Sequence, residues 1–436
     1  MVLGMISGRG AGRSVLALTV ALSVSASGCA TTQSQSNGAQ SELNAESEAN
    51  ARASTSTSSN TGASRAPAQN AALANYRRLA QRESTTVLTE RAVHVGEDFH
   101  SVVLGASDAE VTNSEGGHSV SVAIGASQPM QCIVYDSIVD PANSVRRVFE
   151  NVRRAMARIA IESIDSGFVG ESPYIEGRFL YVTSGPNAGA GMLKVRSALV
   201  ADRSVLCMHD EVGYVQTFNR AMEPMLRSVA LSQGGANYIV TVGETNLGFT
   251  AIRFREEGGE IIETSLSGSL AARSELDLTA SDDVVVERYS RDGVIRSMMR
   301  LNDENGTITQ RQWERDGQSH RYRFEGTHLG RPLQGVVTAT APLRAGTPAA
   351  AEAFRTLMGP RAPASVELQS ISSRNPLTLD TDRYSLHRRV DATHAWITVQ
   401  TGDRTIRALM GPAGLPDEFE FVGATATVRA RRAGRP

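Results

Sequence analysis

The sequence predicts an α+β protein: an antiparallel sheet with packed helices in an N-terminal domain, then a mostly antiparallel β meander domain with one helix. Three observations carry this expectation. Residues 86–234 alternate β-branched runs with two amphipathic helical patterns. Residues 237–430 place turn signals at short, regular intervals between alternating stretches. The folded body, from about 72 to 431, is longer than one hydrophobic core usually organises, so two domains are expected, 72–236 and 237–436.

Upstream of that body the chain is of a different kind. Ser14–Ala26 is apolar or small throughout and follows Arg9 and Arg13 with no acid between, the layout of a secretory signal over residues 1–28. Its apolar run is shorter than the roughly 20 residues a membrane-spanning helix needs. Residues 30–70 are dominated by Ser, Thr, Asn, Gln, Ala and Glu, with Leu43 the only large apolar side chain, so they are expected to form a disordered tether (29–71). A flexible chain of that length spans of order 35 Å.

In the first domain, "QCIVYDSIV" (131–139) reads as a strand, and Asp140-Pro141 supplies an N-cap and a first-turn proline. Val145, Val148, Phe149, Val152, Met156 and Ile159 then recur at three- and four-residue steps, which predicts a helix over 141–164. Strands are predicted at 174–183, 191–200 and 204–210. A second helix carries Val215, Phe218, Met222, Met225 and Val229, with Pro224 as a kink. Before all of these, "FHSVVLGA" and "HSVSVAIGA" suggest a hairpin around Glu115-Gly116-Gly117.

The second domain is punctuated by "EEGGE", "SRDG", "NDENG", "RDGQ" and "TGDR". One helix interrupts it, with Thr347 as N-cap, Pro348 at its first position, and Gly359 and Pro360 as terminators. Val337, Met298, Phe324 and Trp396 are candidates to line a groove on such a sheet, although apolar residues at strand spacing are more often plain core.

Composition excludes little. With 44 basic and 46 acidic residues and 41% hydrophobic content, the chain has no strong global field, and nucleic acid is not an expected partner. Lys194 is the only lysine, a bias most simply ascribed to a GC-rich genome. No catalytic motif survives inspection. His320 with His328, and His387 with His394, lack the spacing that places two ligands on one metal. "DLTASDD", holding Asp277, Asp282 and Asp283, lacks the oxygen pattern of a calcium loop and reads as a solvated turn. "GPNAGAGMLK" ends in a lysine not preceded by glycine, so it is no phosphate loop. No metal or cofactor is expected. A periplasmic hydrolase with a non-sequential active site is the alternative to a binding module. Arg146, Arg147, Arg153, Arg154 and Arg158 form a stripe along the predicted helix, a candidate contact for an anionic surface or an ordinary solvated face braced by pairs such as Glu150 with Arg154.

Three resemblances add to this reading. Ala26-Ser27-Gly28-Cys29 resembles the lipobox of bacterial lipoproteins, with Ala where that family most often has Leu. It implies cleavage before Cys29, lipidation of its thiol, and, with Ala30 rather than Asp following, an outer-membrane anchor facing the periplasm. "LCMHDEVGYVQTFNRAMEPMLRSV" resembles the last strand and helix of the PsbP/DcrB-like α/β sandwich. The second domain is similar in topology to LolA- and LppX-like half-barrels, which implies an apolar ligand or an envelope protein as partner. Once Cys29 is set aside, Cys132 and Cys207 are left in an oxidising compartment, both in predicted strands, as a candidate disulfide or as two buried thiols.

Replacing Cys29→Ser is expected to abolish lipidation, because an alcohol cannot form the diacylglycerol thioether. Metabolic labelling with an alkyne fatty acid checks this, and equal labelling of wild type and variant rejects it.

Overall fold

The computed structural model describes residues 76–433 apart from 96–101, 184–188, 201–202, 228–234, 372–380, 391–394, 402–403, 411–415, 423–426 and seven single positions (107, 115, 136, 138, 157, 318 and 345). The predicted signal, tether and Cys29 lie outside the described residues, as does His394.

The expected α+β class is incorrect. Among the described residues strand accounts for 65% and helix for 14%, in two large antiparallel sheets with few helices. The first strands among the described residues form a two-stranded ribbon, β1 (Glu90–Val93) and β2 (Val102–Gly105). The first large sheet contains β3 (Asp108–Ser114), β4 (Gly117–Ala123), β5 (Met130–Tyr135), β6 (Arg158–Val169), β7 (Ser172–Val182), β8 (Ala190–Val200) and β9 (Arg203–Asp210) in the order β3-β4-β5-β9-β8-β7-β6. Helix α1 (Pro141–Ala155) joins β5 to β6, and α2 (Val215–Arg227) follows β9.

Three local expectations change accordingly. Helix α1 ends at Ala155 and β6 starts at Arg158, because alternation from Ile159 onward satisfies a strand as well as the helical period did. Arg158 therefore leaves the arginine stripe of the helix. The early hairpin closes at the Ser114–Gly117 pair, where the sequence signal lies, but its first strand is β3, while residues 102–105 pair with β1.

The second sheet has fourteen strands. Eight form an unbroken meander: β10 (Gly235–Val242), β11 (Thr245–Glu257), β12 (Glu260–Ser274), β13 (Asp277–Tyr289), β14 (Ile295–Glu304), β15 (Thr307–Arg315), β16 (Arg321–His328) and β17 (Arg331–Thr338). Helix α3 (Gly346–Met358) leads to a second meander of β18 (Ser365–Ile371), β19 (Thr381–Val390), β20 (Ala395–Thr401), β21 (Arg404–Met410), β22 (Pro416–Val422) and β23 (Thr427–Arg432). This meander returns to place β23 against β10, so the sheet is joined at its middle. The turns follow the sequence signals. Asn305-Gly306 and Gly258-Gly259 have positive φ at both central positions, the geometry that matches strand twist in a two-residue hairpin.

So long a sheet curls. The segment after β17 crosses the inner face and bonds to both sides of the curl. Ile295 N donates to Leu343 O at 2.9 Å, and Arg344 N donates to Gln369 O at 2.8 Å on β18. Helix α3 lies on the same face, with Ala349, Ala353 and Leu357 packed on Leu386, Ile397, Val399 and Ile406. Ile397 faces this helix, so strand alternation turns Trp396 to the opposite face, away from Met298, Phe324 and Val337.

The two sheets are stacked through α1. Ala142, Val145 and Phe149 fill the space between Ile175, Phe179, Leu193 and Val195 of the first sheet and Phe249, Leu266, Leu278 and Ala280 of the second. Helix α2 covers the other face of the first sheet, where Phe218, Met222 and Met225 meet Val120, Val134 and Val205. Cys132 and Cys207, cross-strand partners on β5 and β9, form a disulfide beneath α2.

The start of α1 is held by the other sheet. Asp140 occupies the N-cap position as predicted but makes no side-chain capping bond. The cap is Asp282 of β13: its carboxylate accepts Ala142 N–H at 3.0 Å, Asn143 N–H at 2.7 Å and Asn143 Nδ2 at 3.0 Å. Asn143 Nδ2 also donates to Asp303 O at 2.9 Å. Two of the backbone donors that a helix start leaves unpaired, and one side-chain amide, are thereby satisfied from 140 residues away. "DLTASDD" is a strand under a helix, not a solvated turn, because the N-terminus of α1 compensates the buried charge. Burial, offset by these bonds, pushes the Asp282 carboxyl up to about 7.

Asp282→Ala is expected to cost about 3 kcal/mol, since two backbone N–H groups lose their acceptor in a dry interface. Urea unfolding of the full chain measures this, with Asp282→Asn, which keeps one acceptor oxygen, falling between.

Candidate functional site

Adjacent residues on a strand point to opposite faces, so Asp282 and Asp283 divide between the two sides of the large sheet. Asp282 faces α1. Asp283 enters the inner face of the curl, where Arg300 Nε of β14 donates to its Oδ1 at 2.7 Å. Cross-strand register builds the rest. Val285, Arg300, Arg311 and Gly326 form one row across β13 to β16, ending at Leu333 of β17. The next row carries Glu263, Glu287, Met298, Trp313, Phe324 and Gly335. The inner face is thus charged toward its middle and apolar toward the β17 edge.

Its charges are deeply buried. Asp283, Glu287, Arg300 and Arg311 are each no more than 4% exposed. Glu287 faces Glu263 directly across the ladder and accepts a hydrogen bond from Tyr289 Oη. Burial, followed by the Glu263 charge, pushes its carboxyl up to about 8. Burial also raises Asp283, against the pull of Arg300 and Arg311. Arg311 is lowered to about 10 by burial and by Arg300, which Asp283 opposes. The guanidinium of Arg311 lies 5.6 Å from the Trp313 ring centroid, and that ring tilts against Phe324 with 5.3 Å between centroids. Arg311 Nε and Nη1, Trp313 Nε1 and Asp283 Oδ2 are buried without a hydrogen-bond partner. Native interiors rarely leave such groups unmatched.

Other sequence-singled residues serve packing or lie on the surface. Lys194 is fully buried on β8 and donates to Glu211 O at 2.5 Å and Gly213 O at 2.7 Å, pinning the loop that enters α2. Burial lowers it to about 8. Its cross-strand partner His209, lowered to about 4 by burial and by Lys194, contacts Gln128 O at 3.2 Å. Arg196, beside Glu176 and Asn219, stacks on Tyr174 and holds α2 down. Arg147, Arg153 and Arg154 are exposed on α1, whereas Arg146 is half-buried and bonds to Asn143. Arg147 lies 4.0 Å from Asp303 and Arg153 lies 3.5 Å from Glu150, so the stripe is partly neutralised. His328 bonds to Thr309, and His387 to Ser385. A cleft of about 390 Å³ between residues 84–90 and α2 is lined by Ser84, Thr86, Val87, Arg220, Glu223 and Arg227. Its charged side chains are consumed in part by the Arg227–Glu223 pair.

Sequence reasoning missed Asp283, Glu287, Arg300, Arg311 and Glu263 as a group. Each is a charged residue at an inward strand position, and that violation of alternation was the available signal. Among the described residues no helix is long and apolar enough to cross a membrane. Comparison of the chain with family models, with characterised proteins and with solved structures finds no match. The geometry above is therefore the basis for any functional reading.

Glu287 has a folded-state pKa raised from the ordinary carboxylate range to about 8. A group so raised contributes stability that is complete below pH 4.5 and lost as pH climbs through about 8. Wild type is expected to lose thermal stability over that window, and Glu287→Gln, which cannot ionise, to lose less. Melting curves at pH 5 and pH 8.5 for both proteins test the difference; equal losses reject it.

Proposed function

We propose that this chain is an exported, lipid-anchored envelope protein that binds an amphipathic ligand on the inner face of its large sheet. The observation that carries the reading is the gradient on that face. From Met298, the row runs through buried Trp313 and Phe324 to half-buried Gly335 on the edge strand β17, where Leu333 and Val337 flank it on the same face. An apolar path from the edge to a buried charged group suits a molecule with a tail and a polar head.

Support for export comes from two sources. The signal-like run ending at Cys29 fits a lipoprotein precursor, and a disulfide between Cys132 and Cys207 belongs to an oxidising compartment. On this reading the anchor holds the protein at the outer membrane with both sheets in the periplasm, beside a supply of amphiphiles.

Organic extraction of the purified full-length protein, which releases only lipid not covalently attached, is expected to yield about one equivalent of an amphiphile. A Leu333→Asp variant, charged at the edge of the path, is expected to retain less than half as much. Lipid-free wild type that also fails to take up a fluorescent fatty acid overturns the proposal.

A further inference from the structure

We infer that Arg311 is the recognition site for a singly charged carboxylate head group, held from the guanidinium and from Trp313 Nε1. The inference rests on the amphiphile reading above and specifies its ligand.

Three observations lead to it. First, Arg311 is 3% exposed, yet Nε and Nη1 donate to nothing, and the indole N–H of Trp313, two residues along on the same face, is likewise buried without an acceptor. A buried cation and a neighbouring neutral donor, both unanswered, form a concentration of donors in a low-dielectric setting. Such groups are costly unless an acceptor is supplied, and an anionic acceptor gives the stronger, charge-assisted bond.

Second, none of the neighbouring acids on this face accepts from Arg311 Nε or Nη1. Asp283 Oδ1 accepts from Arg300 Nε at 2.7 Å, and Glu287 accepts from Tyr289 and stands opposite Glu263. Asp283 acts on Arg311 only through space. Its second oxygen is buried nearby and bonds to nothing, so a doubly charged head such as a phosphate monoester meets a repulsion that a single charge feels less. That favours a carboxylate over a phosphate.

Third, the surroundings admit a tail. The cross-strand neighbour of Arg311 toward β17 is Gly326 and that of Phe324 is Gly335, so neither of these register positions contributes a side chain of its own. Leu333 and Val337, both half-buried, continue this side to the edge of the sheet. A head at Arg311 thus leaves a hydrocarbon chain on Phe324, Leu333 and Val337.

The test uses the full-length protein stripped of bound lipid, with palmitic acid and hexadecanol as probes, and a bromine-labelled fatty acid to quench tryptophan. The other tryptophan, Trp396, lies on the opposite face of the sheet, and Trp396→Phe protein leaves Trp313 as the single reporter. Wild type is expected to bind the acid roughly 10- to 100-fold more tightly than the alcohol, the range that loss of one charge-assisted contact produces. Arg311→Met should abolish this preference, bringing the acid-to-alcohol affinity ratio close to one, and Arg311→Lys should restore part of it. Quenching of Trp313 by the brominated acid in Trp396→Phe protein supports the placement. Equal binding of acid and alcohol by wild type overturns the head-group inference and leaves the amphiphile reading standing. Binding of neither overturns both. Should Arg311→Met fail to fold, the acid-to-alcohol ratio and the quenching in Arg311-containing protein decide the matter alone.

Discussion

The contact between the Asp282 carboxylate and the first turn of α1 is the constraint on which the relation between the two sheets depends. A helix start needs acceptors for its first N–H groups, and a buried carboxylate needs donors. Here each is supplied by a different sheet. The apolar residues of α1 could slide along a smooth sheet face at modest cost, since dispersion contacts are many and individually weak. Three directional bonds to one side chain cannot slide. They set the position of α1 on β13, and through Phe149 and Val145 they set the first sheet against the second. Further bonds at the margin, from Asn246 to Ser166 O and from Ile161 N to Glu275 O, hold the β6–β7 hairpin to the same partner sheet.

Behind that joint lies a second, costlier arrangement. A strand that places Asp282 outward must place Asp283, Val285 and Glu287 inward, and the last of these has no helix terminus to meet it. The inner face resolves part of the cost by pairing Asp283 with Arg300 and part by holding the proton of Glu287 more tightly than water does. Among the described residues, Arg311 Nε and Nη1 meet no such acceptor. Fold and site are linked through a single dipeptide.

How much of this the residues disclose in advance depends on which signal is local. Turns at Gly258-Gly259 and Asn305-Gly306, the helix ending before Gly359, and the second amphipathic helix with Pro224 inside it were all legible, because each rests on backbone chemistry within a few residues. The class was not. Two helical patterns among strands suggested helices covering a sheet, whereas the first sheet is covered on one side by α1 together with another sheet. That pairing spans more than a hundred residues and leaves no local trace. The segment 158–164 satisfied both periods, and its neighbours in space decided for the strand. At the inner face, "SDD" looked like a turn because consecutive acids usually are solvated. Only register, which placed Arg300 and Asn143 on opposite sides of it, reveals otherwise.

The seam between β10 and β23 bears on when this protein can exist at all. Two meanders, one running outward from β10 and one running back to it, meet only when residues 427–432 align beside 238–242. Until then each half is an open ribbon with a hydrogen-bonding edge at what will be the centre, and the curl has nothing to hold it. Assembly is therefore committed late in synthesis, after nearly two hundred residues have waited for their closing partner.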